Sequence, residues 1–159
     1  MSSGSVLYYY PEIADLLVEV HRESVAHYYE LRVSAVDRSA PPGEQLASAL
    51  AAGIPKGVAD PTARLLYEMH ALCESSASHA KLMTSLFESE VTLYESILVA
   101  GSKSGDFSLV LTPRDVARTL VSLEDGLGLH VVSRNSALSS RKASAALIKC
   151  ASVLTGYSF

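Results

Sequence analysis

Apolar residues recur every three to four positions along most of this chain, and runs rich in proline and glycine cut the pattern into single-helix lengths. Strand side chains alternate every two residues, so a repeat near 3.6 restricts the chain to an all-α fold. Ile13, Leu16, Leu17, Val20, Leu31 and Ala35 predict a long first helix from about Pro11 to Val36, ended by RSAPPG, Arg38 to Gly43. A short helix with Leu46, Ala49 and Leu50 follows, and GIPKGVADP, Gly53 to Pro61, stops it with two prolines and two glycines. Asp60 before Pro61 starts the next helix, since the carboxylate caps free amides and proline suits the first helical position. Leu65, Leu66, Met69, Leu72 and Cys73 form its stripe. A seam near Ser75 to Ser78 leads into a helix marked by Leu82, Met83, Leu86, Phe87, Tyr94, Ile97 and Leu98, and GSKSGD, Gly101 to Asp106, reads as a loop.

Thr112, Pro113 and Asp115 supply a cap, a first-turn proline and a capping-box acid for a helix through Ala117 to Val132. Ser139 caps a last helix, running to Tyr157 and stopped by Gly156. Both helices are apolar over more than one face, so each needs partners on two sides. Val116, Leu120, Leu123, Leu127 and Val131 form one stripe, beside Ala117, Val121, Gly128 and Val132. Small residues such as Gly128, Ala143, Ala145 and Ala146 allow close backbone approach. With 48% hydrophobic and 19% charged residues, and a mean hydropathy of +0.22, the chain carries more apolar surface than a monomer this size hides. That predicts an oligomer; a purely intrachain core is the alternative.

The tract SSGSVLYYYPEIADLL, Ser2 to Leu17, reads as the last turns of a helix, an aromatic cluster, a proline stop and a new helix. It resembles the junction between the helix-turn-helix and the ligand-binding core of TetR-type transcriptional regulators, with Ser2, Gly4, Tyr10, Pro11, Leu16 and Leu17 on the family's spacing. The DGL at Asp125 to Leu127 looks like that family's penultimate helix, and Ser139 to Tyr157 like its final one. The resemblance implies a TetR-like C-terminal regulatory domain of about six helices, whose last two form an intersubunit four-helix bundle in a homodimer. Residues 1–10 then form a remnant of the recognition helix, and residues 11–159 the ligand-binding and dimerisation domain. Ser2, Ser3, Gly4, Ser5, Tyr8 and Tyr9 belong to the DNA-binding remnant. Val116, Leu120, Leu123, Leu127 and Val131, with Ala146, Leu147, Cys150, Val153 and Leu154, are the candidate dimer interface.

The family places about 35 to 45 residues of helix-turn-helix ahead of this junction. From Met1 to His21 there is no Lys or Arg, while Glu12, Asp15 and Glu19 are acidic, and Ile13 stands where the family commonly carries a lysine. Duplex DNA is held mainly by cations that displace phosphate counterions. The expectation is therefore that operator DNA is a partner of a full-length form and not of this chain alone. An artificial truncation and an initiator placed inside the recognition helix both fit.

In such a core, function lies in a cavity between the first, third and fourth helices. At about 100° per residue, Glu90 falls at the centre of the arc set by Met83, Leu86, Tyr94 and Ile97, with His79 on the same side. A lone buried carboxylate is costly, so Glu90 is protonated, paired with an inward-reaching Arg or His, or lining a wet pocket. Ser24 and His27 fall within the arc of Leu16, Val20 and Leu31, with Tyr28 at its edge, as ligand contacts or as hydrogen-bonded core residues. Leu66, Met69, His70, Cys73, Met83, Phe87 and Tyr94 complete the candidate pocket. His70 and Cys73 are three apart on one face, but no accompanying ligand spacing makes a metal site, and Cys73 reads as apolar filler.

Basic residues are absent from these predicted arcs, which favours a small effector that is hydrophobic, neutral or cationic over a polyanion. Glu-x-x-His pairs, HExxH, phosphate-cradling glycine loops and GxSxG are lacking, so neither a catalytic activity nor a cofactor is expected. The Ser-x-x-Lys pattern occurs twice in a serine-rich chain, at Ser78 and Ser139, and reads as chance. Two distant cysteines, Cys73 and Cys150, make no disulfide framework. Absence of a leader-like run or a membrane-length apolar segment predicts no membrane partner and a cytoplasmic location. Two functions follow: a TetR-like regulator core that senses a small molecule, or an orphaned helical dimer serving as a protein-interaction module.

Overall fold

Four helices begin at a side chain that accepts from one of their first amides. In the computed structural model, which describes residues 12–159, Asp60 accepts from the Ala63 amide at 3.1 Å and Ser76 from the His79 amide at 3.5 Å. Thr112 likewise accepts from the Asp115 amide at 3.2 Å, and Ser139 from the Lys142 amide at 3.4 Å. The resulting elements are α1 (Ile13–Ser34), α2 (Pro42–Gly53), α3 (Pro61–His70), a 3-10 turn (Ala71–Glu74), α4 (Ala77–Ser104), α5 (Pro113–Val132) and α6 (Ser140–Thr155). No strand occurs among the described residues. No described helix is long and apolar enough to cross a membrane.

Two boundaries differ from expectation. The run Gly101 to Asp106 is mostly helix: α4 continues to Ser104 and ends at Gly105, whose φ of 86° lies in the left-handed region. Gly101 is tolerated inside it because Phe107 folds back against the bare backbone. The long first helix ends at Ser34, two residues short of Val36, which is buried in the core. At the other end Gly156, with φ 68°, terminates α6 as its sequence position suggests.

The 28 residues of α4 make a rod of about 40 Å against which α1, α2 and α5 pack. Leu46, Leu50, Val91, Tyr94, Ile97, Leu98, Leu120 and Leu147 fill the space between α2, α4, α5 and α6. Arg114 on the first turn of α5 reaches Glu95 of α4 at 2.7 Å and also pairs with Glu88. The tail closes the far end: Tyr157 meets Phe107 edge to face at 5.5 Å, and the Ser108 amide donates to the Thr155 carbonyl at 2.7 Å.

Helix α1 turns a different face inward from the one its apolar residues suggest. Its fully buried residues are His21 and Arg32, while Ile13, Leu17, Val20 and Leu31 are exposed. His21, Tyr28 and Arg32 lie at i, i+7 and i+11, which is one helical face. That face is polar because the elements opposite offer carboxylates, hydroxyls and a second imidazole.

Candidate ligand cavity

Arg32 is the centre of the buried polar layer that α1 makes with α4 and α5. Its Nη1 donates to the Tyr94 hydroxyl at 2.9 Å. Its Nη2 donates to the Tyr28 hydroxyl at 3.0 Å, lies 3.1 Å from Glu90, and pairs with Glu124. Tyr94 in turn donates to Glu124 at 2.6 Å, and Tyr28 to the Gly53 carbonyl at 3.1 Å. Burial works against the Arg32 charge, but Glu124, Tyr94 and Glu90 outweigh it and hold the guanidinium charged. Burial raises both Tyr28 and Tyr94 above the usual phenol range, so they remain neutral.

Glu90 forms the floor of a cavity of about 670 Å³ between α1, α3, α4 and α5. Ala63, Leu66, Met83, Leu86, Phe87 and Leu129 give it apolar walls, and Tyr28, Tyr67 and Asp125 bring polar groups to it. A site of this size with few convergent polar groups has the character of a small-molecule pocket. Burial pushes the Glu90 carboxyl up to about 8, with Arg32 pulling against it and Glu124 and Asp125 adding to it. Burial raises the Asp125 carboxyl to about 6, with Glu124 adding to the rise and Arg32 opposing it. Tyr67 donates to the Asp125 carbonyl at 2.9 Å, a contact made possible by Gly128, where a Cβ would stand 2.3 Å from the Tyr67 hydroxyl.

Beside this layer, His21 of α1 and His79 of α4 stack with ring centroids 5.0 Å apart and Nδ1 atoms 2.8 Å apart. His21 Nε2 lies 3.3 Å from the Met83 sulfur, which only accepts. The proton on His21 is therefore on Nε2, and His79 Nδ1–H donates to His21 Nδ1.

No protein-family model and no curated protein matches the sequence. Solved structures do match the path of the chain. A protein described as a transcriptional regulator from Saccharomonospora viridis, in complex with choline, gives a TM-score of 0.86 at 18% identity, over 98% of this chain and 81% of its own. A TetR transcription regulator from Haloarcula marismortui gives 0.82 at 18% identity, over 97% and 81%. One described as a TetR-family regulator from Rhodococcus sp. gives 0.81 at 16% identity, over 97% and 81%. This is the TetR-type regulator fold.

Within the TetR-type fold, Tyr28, Leu66, His70, Cys73, Met83, Phe87 and Glu90 of the sequence-predicted pocket line the cavity together. Four others do not. Ser24 donates to the Val20 carbonyl at 2.6 Å and His27 is exposed, both because α1 is rotated relative to its apolar arc. Met69 and Tyr94 are buried behind the wall, Tyr94 as a member of the Arg32 layer. Arg32 also corrects the expectation that no basic residue faces inward, and it makes Glu90 both a paired acid and a cavity-lining one.

Part of the predicted dimer face also needs correction. Val116, Leu120, Val131 and Leu147 are fully or almost fully buried in the subunit's own core, so they have no surface left to offer a twin. Leu154 is half-buried against the same core. The outward stripe on α6 is Ala146, Cys150 and Val153, at i, i+4 and i+7, with Val153 72% exposed; Leu123 and Leu127 of α5, like Leu154, are half-buried against the core. Ser2, Ser3, Gly4, Ser5, Tyr8 and Tyr9, and the boundary at residue 10, lie outside the described residues.

Sequence reasoning missed Glu124, Asp125, Tyr67 and His21. Glu124 had a signal: Val116, Leu120, Glu124, Leu127 and Val131 are spaced four, four, three and four, which sets an acid in the middle of a core stripe.

Proposed function

We propose that this chain is the sensing and dimerisation core of a TetR-type transcriptional regulator, and that a small, largely apolar molecule binds in the cavity above Glu90. The observation that carries the reading is the cavity itself, about 670 Å³ with apolar walls and a polar floor tied to α1. The choline held by the Saccharomonospora viridis protein supports small-molecule binding on this fold. In this reading α1 is the output element. Arg32 couples it to the cavity floor, so a ligand that favours one arrangement of Glu90 biases the position of α1. In a form that carries a helix-turn-helix ahead of α1, DNA contact falls to that unit, and a second copy pairs through the outer faces of α5 and α6.

Thermal-shift screening of small apolar and amphiphilic molecules against the wild-type chain and Leu66→Trp tests the reading. Ligands should raise the wild-type midpoint and lose that effect when the indole fills the cavity. Equal shifts in both proteins would place binding elsewhere and sink the proposal.

A further inference from the structure

We infer that the cavity is built for a cation, and that Glu90 receives it by releasing a proton to solvent. The inference rests on the sensing role proposed above and adds the charge of the ligand and the ion exchanged for it.

Donor counting singles out Glu90. Arg32 Nη2 has two N–H groups, yet the Tyr28 hydroxyl, Glu124 and Glu90 all lie on it. Tyr28 spends its own proton on the Gly53 carbonyl, so it takes one N–H as an acceptor. Glu124 holds the short contact and also accepts from Tyr94. Glu90 is the acceptor left short, and it is the one that faces the cavity.

Charge counting agrees. Two buried carboxylates, Glu90 and Glu124, lie on one guanidinium, a third, Asp125, lines the cavity, and no Lys or Arg lines it. The groups facing Glu90 are Arg32 and Tyr28 from α1, Glu124 and Asp125 from α5, and Tyr67 and His70 from α3, with Tyr94 on its own helix. The Arg32–Glu124 pair is neutral as a unit. An empty cavity is thus most stable with a proton on Glu90, which matches a carboxyl raised to about 8 by burial. A cation entering the cavity replaces that proton as the neutralising charge. Tyr67 and Phe87 put aromatic rings in the cavity wall, while the Tyr28 ring already carries the Arg32 guanidinium at 5.3 Å, and aromatic walls favour a weakly hydrated head such as a quaternary ammonium. A strongly hydrated primary amine has more solvation to lose.

Matched probes separate charge from shape. Benzyltrimethylammonium and hexyltrimethylammonium would be titrated calorimetrically against the full chain, beside their hydrocarbon isosteres neopentylbenzene and 2,2-dimethyloctane, in phosphate and in Tris. The cations should bind more tightly than the isosteres at pH 9 and release close to one proton each at pH 7. Their affinity should rise about tenfold from pH 7 to pH 9, the factor set by a group titrating near 8. Glu90→Gln should abolish the proton release and the pH dependence, and bring cation affinity down to that of the isostere. Isosteres that match the cations at pH 9, or cation binding without proton release in wild type, would overturn the exchange and leave the sensing role standing. Failure of all four compounds to bind from pH 7 to 9 would overturn both.

Discussion

Arg32 and Glu124 form a fully buried ion pair that joins the last turn of α1 to the middle of α5. Truncating one partner of such a pair strands the other charge in a low-dielectric interior, but Glu90, 3.1 Å from the same guanidinium nitrogen, ionises to take over part of the pairing. Glu124→Ala should therefore cost about 3 kcal/mol, the low end for breaking a buried pair, read from the midpoint of urea unfolding. A loss under about 1 kcal/mol, the size of an exposed pair, would show that the interior re-solvates the guanidinium.

Glu90 contributes the opposite pH dependence from an ordinary surface acid. Its carboxyl is raised from 4.5 to about 8 in the folded chain, so the native state binds the proton more tightly than the unfolded one. The group's contribution is complete below about 4.5 and falls as pH rises toward about 8, with a slope of no more than about 1.4 kcal/mol per pH unit. Glu90→Gln should remove that slope. Comparing thermal midpoints of the two proteins from pH 5 to pH 9 checks it, and parallel curves would refute it.

His21 acts at lower pH. Burial, then His79, then His70 hold the His21 pKa below its ordinary 6.5. The unfolded chain therefore takes up a proton that the folded chain resists, and stability falls as pH drops through about 6.5. His21→Gln should flatten the curve between pH 7 and pH 5.5 while losing the stack on His79. Its unfolding midpoint, followed by circular dichroism across that range, should change less than wild type's.

These residues explain what was legible in the sequence and what was not. Caps at Asp60, Thr112 and Ser139 and the stop at Gly156 are local chemistry, and each sits at a helix end in the structure. Glu90 was legible because it interrupts an apolar arc on the helix that runs through the core. Arg32 was not. A guanidinium is read as a surface group unless its partners are known, and both carboxylates lie far along the chain on other helices. The apolar residues of α1 also point the wrong way, since Ile13, Leu17, Val20 and Leu31 remain exposed here. On α5 both apolar stripes turn inward, Val116, Leu120 and Val131 together with Ala117, Val121 and Gly128, and only packing decides that the subunit's own core takes them all.

Close packing around Glu124 gives a sharper test of the same layer. A Cβ on Gly53 would stand 2.1 Å from the Glu124 carboxyl, which is held in place by Arg32 and Tyr94. Gly53→Ala should cost about 1–3 kcal/mol, as overpacking does, despite the better helix propensity of alanine. In a Glu124→Ala background the same change should cost little, because the obstructing group is gone. Additive effects in the double variant would mean that the two positions do not meet.

In the proposed dimer, the outer face of α6 carries the contact between copies. Val153 is 72% exposed and shares a stripe with Ala146 and Cys150, whereas Leu147 on the opposite side is fully buried in the subunit. A charge at position 153 costs a monomer almost nothing, but two such charges facing across a two-fold axis repel in a desolvated contact. Sedimentation velocity at micromolar concentration should find a dimer for wild type and a monomer for Val153→Glu with an unchanged helical spectrum. Leu147→Ala should behave differently, losing about 2–5 kcal/mol of fold stability through a core cavity, whatever its state of association. A wild-type monomer, or a Val153→Glu dimer as tight as wild type, would remove this face from the proposed interface.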